Sequence, residues 1–311
     1  MAKSAHDKLK GLITKRLGQT KALPEIAAIA KAARTQHGQS CVAVLAYGSC
    51  LRGVSTNDSL VDLYVLVSDY TTTHTNPLTR WLNQLIPPNV YYLEHPYKKT
   101  KLRAKYAIVS LSQFAKRCSA ETENPYFWAR FAQPSALVWA KDKATKDAII
   151  EALTQSTQSL LQKTAPLCPA FTSAQELWET ALGQTYQTEL RSEAQTRARD
   201  IVKADMPYYN QAAKTLYGAN LQHLHAEISD PVKAAVNAKR QWASRRWQGK
   251  WFSILRLSKA SFTFQGGADY IAWKIARHSG VKIEVTDWQR RHPILAGLIL
   301  LPKLLVSGAI R

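Results

Sequence analysis

One aspartate inside an otherwise apolar run constrains most strongly how this chain can fold. The segment CVAVLAY (Cys41–Tyr47) has the make-up of a buried strand and stops at Gly48-Ser49. Thirteen residues after Ser49 comes Asp62, the single charge in a second apolar strand, LVDLYVLV (Leu60–Val67). A carboxylate held in a buried strand is costly unless a cation or hydrogen-bond donors accompany it. The fold must therefore bring Asp62 a partner, either a basic side chain in a core ion pair or a metal ion. Glycine at the strand end lets the backbone approach a bound group closely, and serine adds a hydroxyl and an N–H. The corner is thus a candidate site for phosphate and metal.

Around this corner the first 140 residues alternate in type. A helix is expected over Lys21–Arg34, a polar loop over Thr71–Asn76 and a helix over Pro77–Leu85. Strands are expected over Val90–Leu93 and Ala104–Val109, followed by a helix that starts at Ser110 with Ser112 as a candidate cap. This succession implies a mixed α/β domain over 1–140. From 141 to 230 the pattern turns helical, with helices expected over Lys143–Gln162, Ser173–Leu182 and Ile201–Tyr217 and a break at Pro166 and Pro169.

The third segment, 231–311, changes character. No acidic residue lies between Asp230 and Asp269, yet eight Lys/Arg do: Lys233, Lys239, Arg240, Arg245, Arg246, Lys250, Arg256 and Lys259. Trp242, Trp247, Trp251 and Phe252 are interleaved with them, and Trp247, Trp251 and Leu255 fall on one helix face. Basic residues with tryptophan suit an anionic lipid surface. The same mixture would also serve single-stranded nucleic acid, or be a solvated face with structural tryptophans. The nearly apolar tail from Ile294 to Ile310 favours lipid, by shallow insertion. It is shorter than the about 20 residues of a spanning helix, and a helix docked on the core is the alternative. The charge balance agrees: 42 Lys+Arg against 22 Asp+Glu leave +20, which favours polyanionic partners. Cys41, Cys50, Cys118 and Cys168 lack metal-ligand spacing and read as free thiols of a reducing compartment. Met1–Arg16 has no apolar signal-peptide segment and reads as an amphipathic helix.

The strand, Gly-Ser turn and acid-bearing strand resemble the layout of the nucleotidyltransferase (polymerase-β-like) superfamily. That pattern commonly carries two acids as Asp-x-Asp, and here the second position is Tyr64. Asp69 is too distant along a strand to share a metal with Asp62, whereas Asp58 or Glu94 could approach only through folding. Several further blocks resemble the peripheral phosphatidate cytidylyltransferase family, the mitochondrial translocator-maintenance type of CDP-diacylglycerol synthase, and its bacterial branch in particular. Ala46–Ser49 is similar to its nucleotide-binding turn, with Cys50 where the family has Gly. Val61–Leu63 is similar to its single-Asp strand, and His74 to its following His. Lys105–Ser110, together with Asn124, Tyr126, Arg130 and Pro134, matches later blocks, with Ala129 and Gln133 replacing a Gly and a Lys. Ile201–Lys203, Leu216–Gly218, Phe262–Phe264, Asp269-Tyr270, Trp273-Lys274 and Arg277–Gly280 resemble the remainder.

The resemblance implies a nucleotidyltransferase head, a helical, winged-helix-like domain and a basic C-terminal membrane-binding segment. It implies CMP transfer from CTP to phosphatidic acid, yielding CDP-diacylglycerol and pyrophosphate with Mg²⁺. Tyr47, Gly48 and Ser49 would meet the nucleotide, Asp62 the metal, and Lys105 and Arg130 the phosphate oxygens. Without it, Lys105 is a solvated strand-end lysine, Arg130 a helix-surface ion-pair residue and His74 a loop histidine. The expected partners are CTP, phosphatidic acid and an anionic membrane surface rather than nucleic acid. The expected location is the cytoplasmic face of a bacterial inner membrane, or the matrix side of the mitochondrial inner membrane. The alternatives are a nucleotidyltransferase acting on RNA or a small hydroxyl substrate, and a catalytically inactive membrane- or RNA-binding scaffold.

Overall fold

In the computed structural model, which describes residues 4–20, 22–52, 60–189, 194–226, 228–263 and 285–291, the apolar runs on either side of Gly48-Ser49 become neighbouring strands. β1 (Cys41–Tyr47) and β2 (Val61–Val67) pair antiparallel, with Tyr47 opposite Asp62. β3 (Asn89–Tyr97) and β4 (Thr100–Ser110) form a hairpin. β4 then lies parallel to β2, with Lys105 in register with Asp62. β5 (Ala136–Ala140) closes the other edge against β1, giving a five-stranded mixed sheet of order β3-β4-β2-β1-β5. The chain is therefore α/β. β5 is short and half-buried, so no apolar period announced it.

Alternation along β2 sends its side chains to two different cores. Val61, Leu63, Val65 and Val67 pack under α2 (Pro24–His37), through Ile26, Ile29, Ala30 and Ala33. Tyr64 and Leu66 face a helical layer of α4 (Leu111–Cys118), α5 (Trp128–Phe131) and α6 (Lys143–Thr164). α3 (Pro77–Leu85) is capped by Asn76, whose carboxamide oxygen accepts from Leu78 and Thr79. At α4 the cap is Ser110, not Ser112: its hydroxyl accepts from the Gln113 N–H. α1 (Ala5–Gln19) packs on α6 and on α9 (Met206–Tyr217). Between α6 and α9 come α7 (Ala174–Gln187), opened by a Ser173/Glu176 capping box, and α8 (Ala194–Ala204). The single helix expected over Ile201–Tyr217 is thus two. Pro207 lacks an N–H and stands in the first turn of α9, where that donor is not needed. No strand occurs among the described residues of 141–226, so no wing forms there. One apolar core runs from Leu9 through Tyr64 and Trp178 to Trp242, across the change of composition near residue 140.

α10 (Pro231–Thr263) is 33 residues long, and a short α11 (Asp287–Arg291) follows. The basic, Trp-rich stretch has two faces. Trp242 is buried and its indole N–H donates to the Lys163 carbonyl at 3.0 Å. Arg245 is buried against Glu123 at 2.8 Å, and Lys259 is buried with its ammonium donating to the Ile86 and Pro88 carbonyls. Trp247 and Trp251, by contrast, are 67% and 51% exposed, with Leu255 also exposed. Among the described residues no helix is long and apolar enough to cross a membrane. The tail from Ile294 to Ile310, the motifs over 264–280 and Asp58 lie outside the described residues.

Two stability predictions follow from how α10 is held. Trp242→Ala empties a fully buried ring site and should cost about 3–5 kcal/mol in urea unfolding. Burial pushes the Lys259 ammonium down to about 7 from the ordinary lysine value of 10.5, and Arg256 adds to the effect. Between those values the unfolded chain binds the extra proton, so stability should rise with pH across that window. Unfolding curves at pH 7 and pH 10 should show this rise in the wild type and a smaller one in Lys259→Met.

Candidate active site

The turn after β1 is built by glycine geometry. Gly48 has φ +86°, and a Cβ at this position would stand 3.3 Å from the Asp62 carboxylate. The left-handed backbone favours glycine, and the missing side chain lets the turn lie against the aspartate. Ser49–Arg52 forms a single 3-10 turn, with the Leu51 N–H bonded to the Gly48 carbonyl at 3.3 Å. Cys50 is turned inward, its thiol donating to the Tyr47 carbonyl at 3.2 Å.

Tyr47, Gly48, Ser49, Asp62, Lys105 and Arg130 line one pocket of about 160 Å³ at the rim of the sheet's helical face. β1 and its turn supply the first three, and neighbouring registers of β2 and β4 supply Asp62 and Lys105. Arg130 comes from α5, with Tyr126, Ala129 and Gln133 beside it. The far wall is Tyr186 and Glu189 at the end of α7, with Arg197 of α8. Lys105, Arg130 and Arg197 therefore face two carboxylates, Asp62 and Glu189.

Arg130 is the electrostatic centre of this wall. Its Nη1 donates to the Tyr126 carbonyl at 2.7 Å and to Glu189 Oε1 at 2.8 Å. The two side chains of this ion pair are only 14% and 10% exposed. Burial works against the guanidinium charge, but Glu189 together with the Tyr126, Tyr64 and Tyr47 hydroxyls outweighs it and holds the group firmly protonated. The Tyr126 ring lies 3.7 Å from the Arg130 guanidinium carbon and 3.8 Å from that of Arg256. Burial opposes ionisation of the Tyr126 hydroxyl, yet the two cations prevail and lower it below its ordinary value. Burial, followed by the Asp62 charge, pushes Tyr47 the other way. Asn124 accepts from the Tyr126 N–H at 3.0 Å and so fixes the start of this turn.

Other singled-out residues lie apart. His74 is buried between the Tyr70 and Tyr91 rings and bonded to Asn83 at 3.1 Å, outside the pocket lining. Burial and the neighbouring His37 push it down to about 4, so it is neutral at pH 7. Glu94 is engaged by Lys101 at 2.8 Å and Arg103 at 3.2 Å, away from the lining. Asp69 caps its own turn through the Thr71 and Thr72 N–H groups. The position of a second strand acid, Tyr64, is a fully buried ring packed 4.9 Å from Phe131. Glu189, Tyr186 and Arg197 escaped the sequence reading, and Arg256 entered it only as part of the basic stretch. Glu189 stands 59 residues from Arg130 in the chain, and nothing local marks it. Among the described residues no group of three His, Cys, Asp or Glu could hold a metal by itself.

Gly48→Ala should place a Cβ in a left-handed conformation, costing about 1–2 kcal/mol, and crowd Asp62. Urea unfolding should register the loss. Neither a family model nor a curated protein matches the chain.

Proposed function

We propose that the protein is a phosphatidate cytidylyltransferase: CTP and phosphatidic acid give CDP-diacylglycerol and pyrophosphate on a nucleotidyltransferase head that works at a membrane surface. The observation that carries this reading is the convergence of Gly48, Ser49, Asp62, Lys105 and Arg130 on one pocket from four separate stretches of chain. Each of these residue types has a use with a triphosphate. The Gly48-Ser49 turn offers close backbone approach and a hydroxyl, and Lys105 and Arg130 offset charge on phosphate oxygens.

The donor set fits Mg²⁺ that arrives with the nucleotide. Magnesium commonly takes one or two carboxylates, substrate phosphates and water rather than a full protein cage, and Asp62, with Ser49 in the same pocket lining, meets that description. When bound, the ion would neutralise charge at the reacting phosphates. The protein's own part is to hold the α-phosphorus between the turn and Lys105. A phosphate oxygen of phosphatidic acid bonds to that phosphorus, the bond to the bridging oxygen breaks, and pyrophosphate leaves. This nucleophile is already anionic and needs no base. That agrees with a buried tyrosine at the position where a hydroxyl-activating acid would stand. The exposed Trp247 and Trp251 on α10, with Lys239, Arg240 and Lys250 also exposed, suit contact with anionic lipid. The location that fits is peripheral, on the cytoplasmic or matrix face of an inner membrane.

The full-length protein with CTP, Mg²⁺ and phosphatidic acid vesicles should release pyrophosphate in a lipid-dependent manner. Asp62→Asn should lower the rate about a hundredfold or more while vesicle sedimentation stays unchanged. Lipid-independent turnover, or none in the wild type, would overturn the proposal.

A further inference from the structure

The pocket meets its incoming ligand with one phosphate position already filled by the protein. Glu189 is bonded to Arg130 at 2.8 Å inside the pocket lining, and both side chains are largely buried. A carboxylate and a phosphate present the same pattern of paired oxygens to a guanidinium. We propose that Glu189 is an intramolecular stand-in for a phosphate group, which a phosphate-bearing ligand must displace from Arg130 in order to bind. The proposal rests on the anion-binding reading of the pocket and adds to it a residue that sets ligand affinity.

Three features support displacement over a purely structural ion pair. First, Arg130 has its own anchor. The Tyr126 carbonyl at 2.7 Å and the Tyr126 ring at 3.7 Å position the guanidinium without Glu189. Second, both bonds run through Nη1. A guanidinium carries five N–H groups, so the fork retains donors for a phosphate once the carboxylate withdraws. Third, the exchange conserves charge. A buried cation that loses its partner is strongly unfavourable, and a phosphate restores neutrality as the carboxylate leaves. Lys105 and Arg197 in the same lining then meet the remaining phosphate charge.

The thermodynamic consequence is a uniform tax on ligands that must reach Arg130. If only a fraction of molecules have Glu189 withdrawn, the apparent Kd rises by the inverse of that fraction. A ligand without phosphate avoids this factor.

The test is calorimetric titration of the full-length protein with tripolyphosphate, CTP and cytidine. Glu189→Gln should tighten tripolyphosphate and CTP about tenfold, equivalent to about 1.4 kcal/mol, and leave cytidine unchanged. Removing a negative charge on α7, ten residues before Glu189, is the control. Glu179→Gln, which frees Arg199 outside the pocket, should change tripolyphosphate binding less than twofold. In an Arg130→Gln background the gain from Glu189→Gln should disappear. Weaker or unchanged tripolyphosphate binding in Glu189→Gln would mean that the carboxylate only positions Arg130, and would overturn the proposal. So would a gain of equal size in Glu179→Gln or in the Arg130→Gln background. Tripolyphosphate binding requires neither lipid nor turnover. A protein that fails to make CDP-diacylglycerol yet shows this pattern would refute the transferase reading and leave the displaced carboxylate standing.

Discussion

The parallel pairing of β2 with β4 sets Asp62 beside Lys105, and the rest of the pocket depends on that register. Neighbouring residues in register share a sheet face, so a carboxylate and an ammonium appear side by side where the sheet emerges from its helical cover. A shift of one residue would send Asp62 into the α2 core, against Ile26, Ile29 and Ala30, where an ionised carboxylate is untenable. The alternation that buries the rest of β2 therefore also fixes the placement of its one charge. The antiparallel partner completes the corner: β1 ends opposite Asp62, and a Cβ on Gly48 would stand 3.3 Å from the carboxylate.

The opposite wall is built by a different principle. Tyr47, Tyr64, Phe127 and Phe131 form an aromatic platform with edge contacts, Tyr64 to Tyr47 at 5.3 Å among them. It supports α5 and so the base of Arg130. Rings of this kind supply rigid area together with a weakly negative face, and the Tyr126 face is what Arg130 and Arg256 use. The position where a two-acid strand would carry its second carboxylate is thus given to packing. One residue cannot be both the floor of this platform and a solvated acid.

This division explains how much could be read in advance. β1, β2 and the Gly48 turn were legible, because strand period and glycine punctuation are local signals, whereas Lys105 and Arg130 were singled out only through the family resemblance, and both line the pocket with Asp62. β5 was not, since five half-buried residues carry no period. The break at Pro207 was written in the sequence, but the alanines and tyrosines around it hid it inside one helical pattern. In the tryptophan stretch the composition was clear and the faces were not. Trp242 docks on the Lys163 carbonyl, whereas Trp247, five residues on, stands in solvent. Glu189 was beyond reach, because its meaning comes from a partner 59 residues away.

The same reasoning gives the excess of positive charge a structural form. With 42 Lys+Arg and only 22 Asp+Glu, carboxylates cannot neutralise every cation, and several buried or half-buried ones take other acceptors as well. Lys259 takes the Ile86 and Pro88 carbonyls, Arg256 takes the Pro87 carbonyl and the Tyr126 ring, and Arg130 takes the Tyr126 carbonyl and ring. Carbonyls and rings stabilise a cation through dipole and quadrupole without cancelling its charge. The Arg130 and Arg256 charges therefore meet at the Tyr126 ring, on the wall that faces Asp62. In such a field a carboxylate is drawn to a guanidinium, and Glu189 is found on Arg130. A ligand bringing several negative charges has more to gain there than a single glutamate.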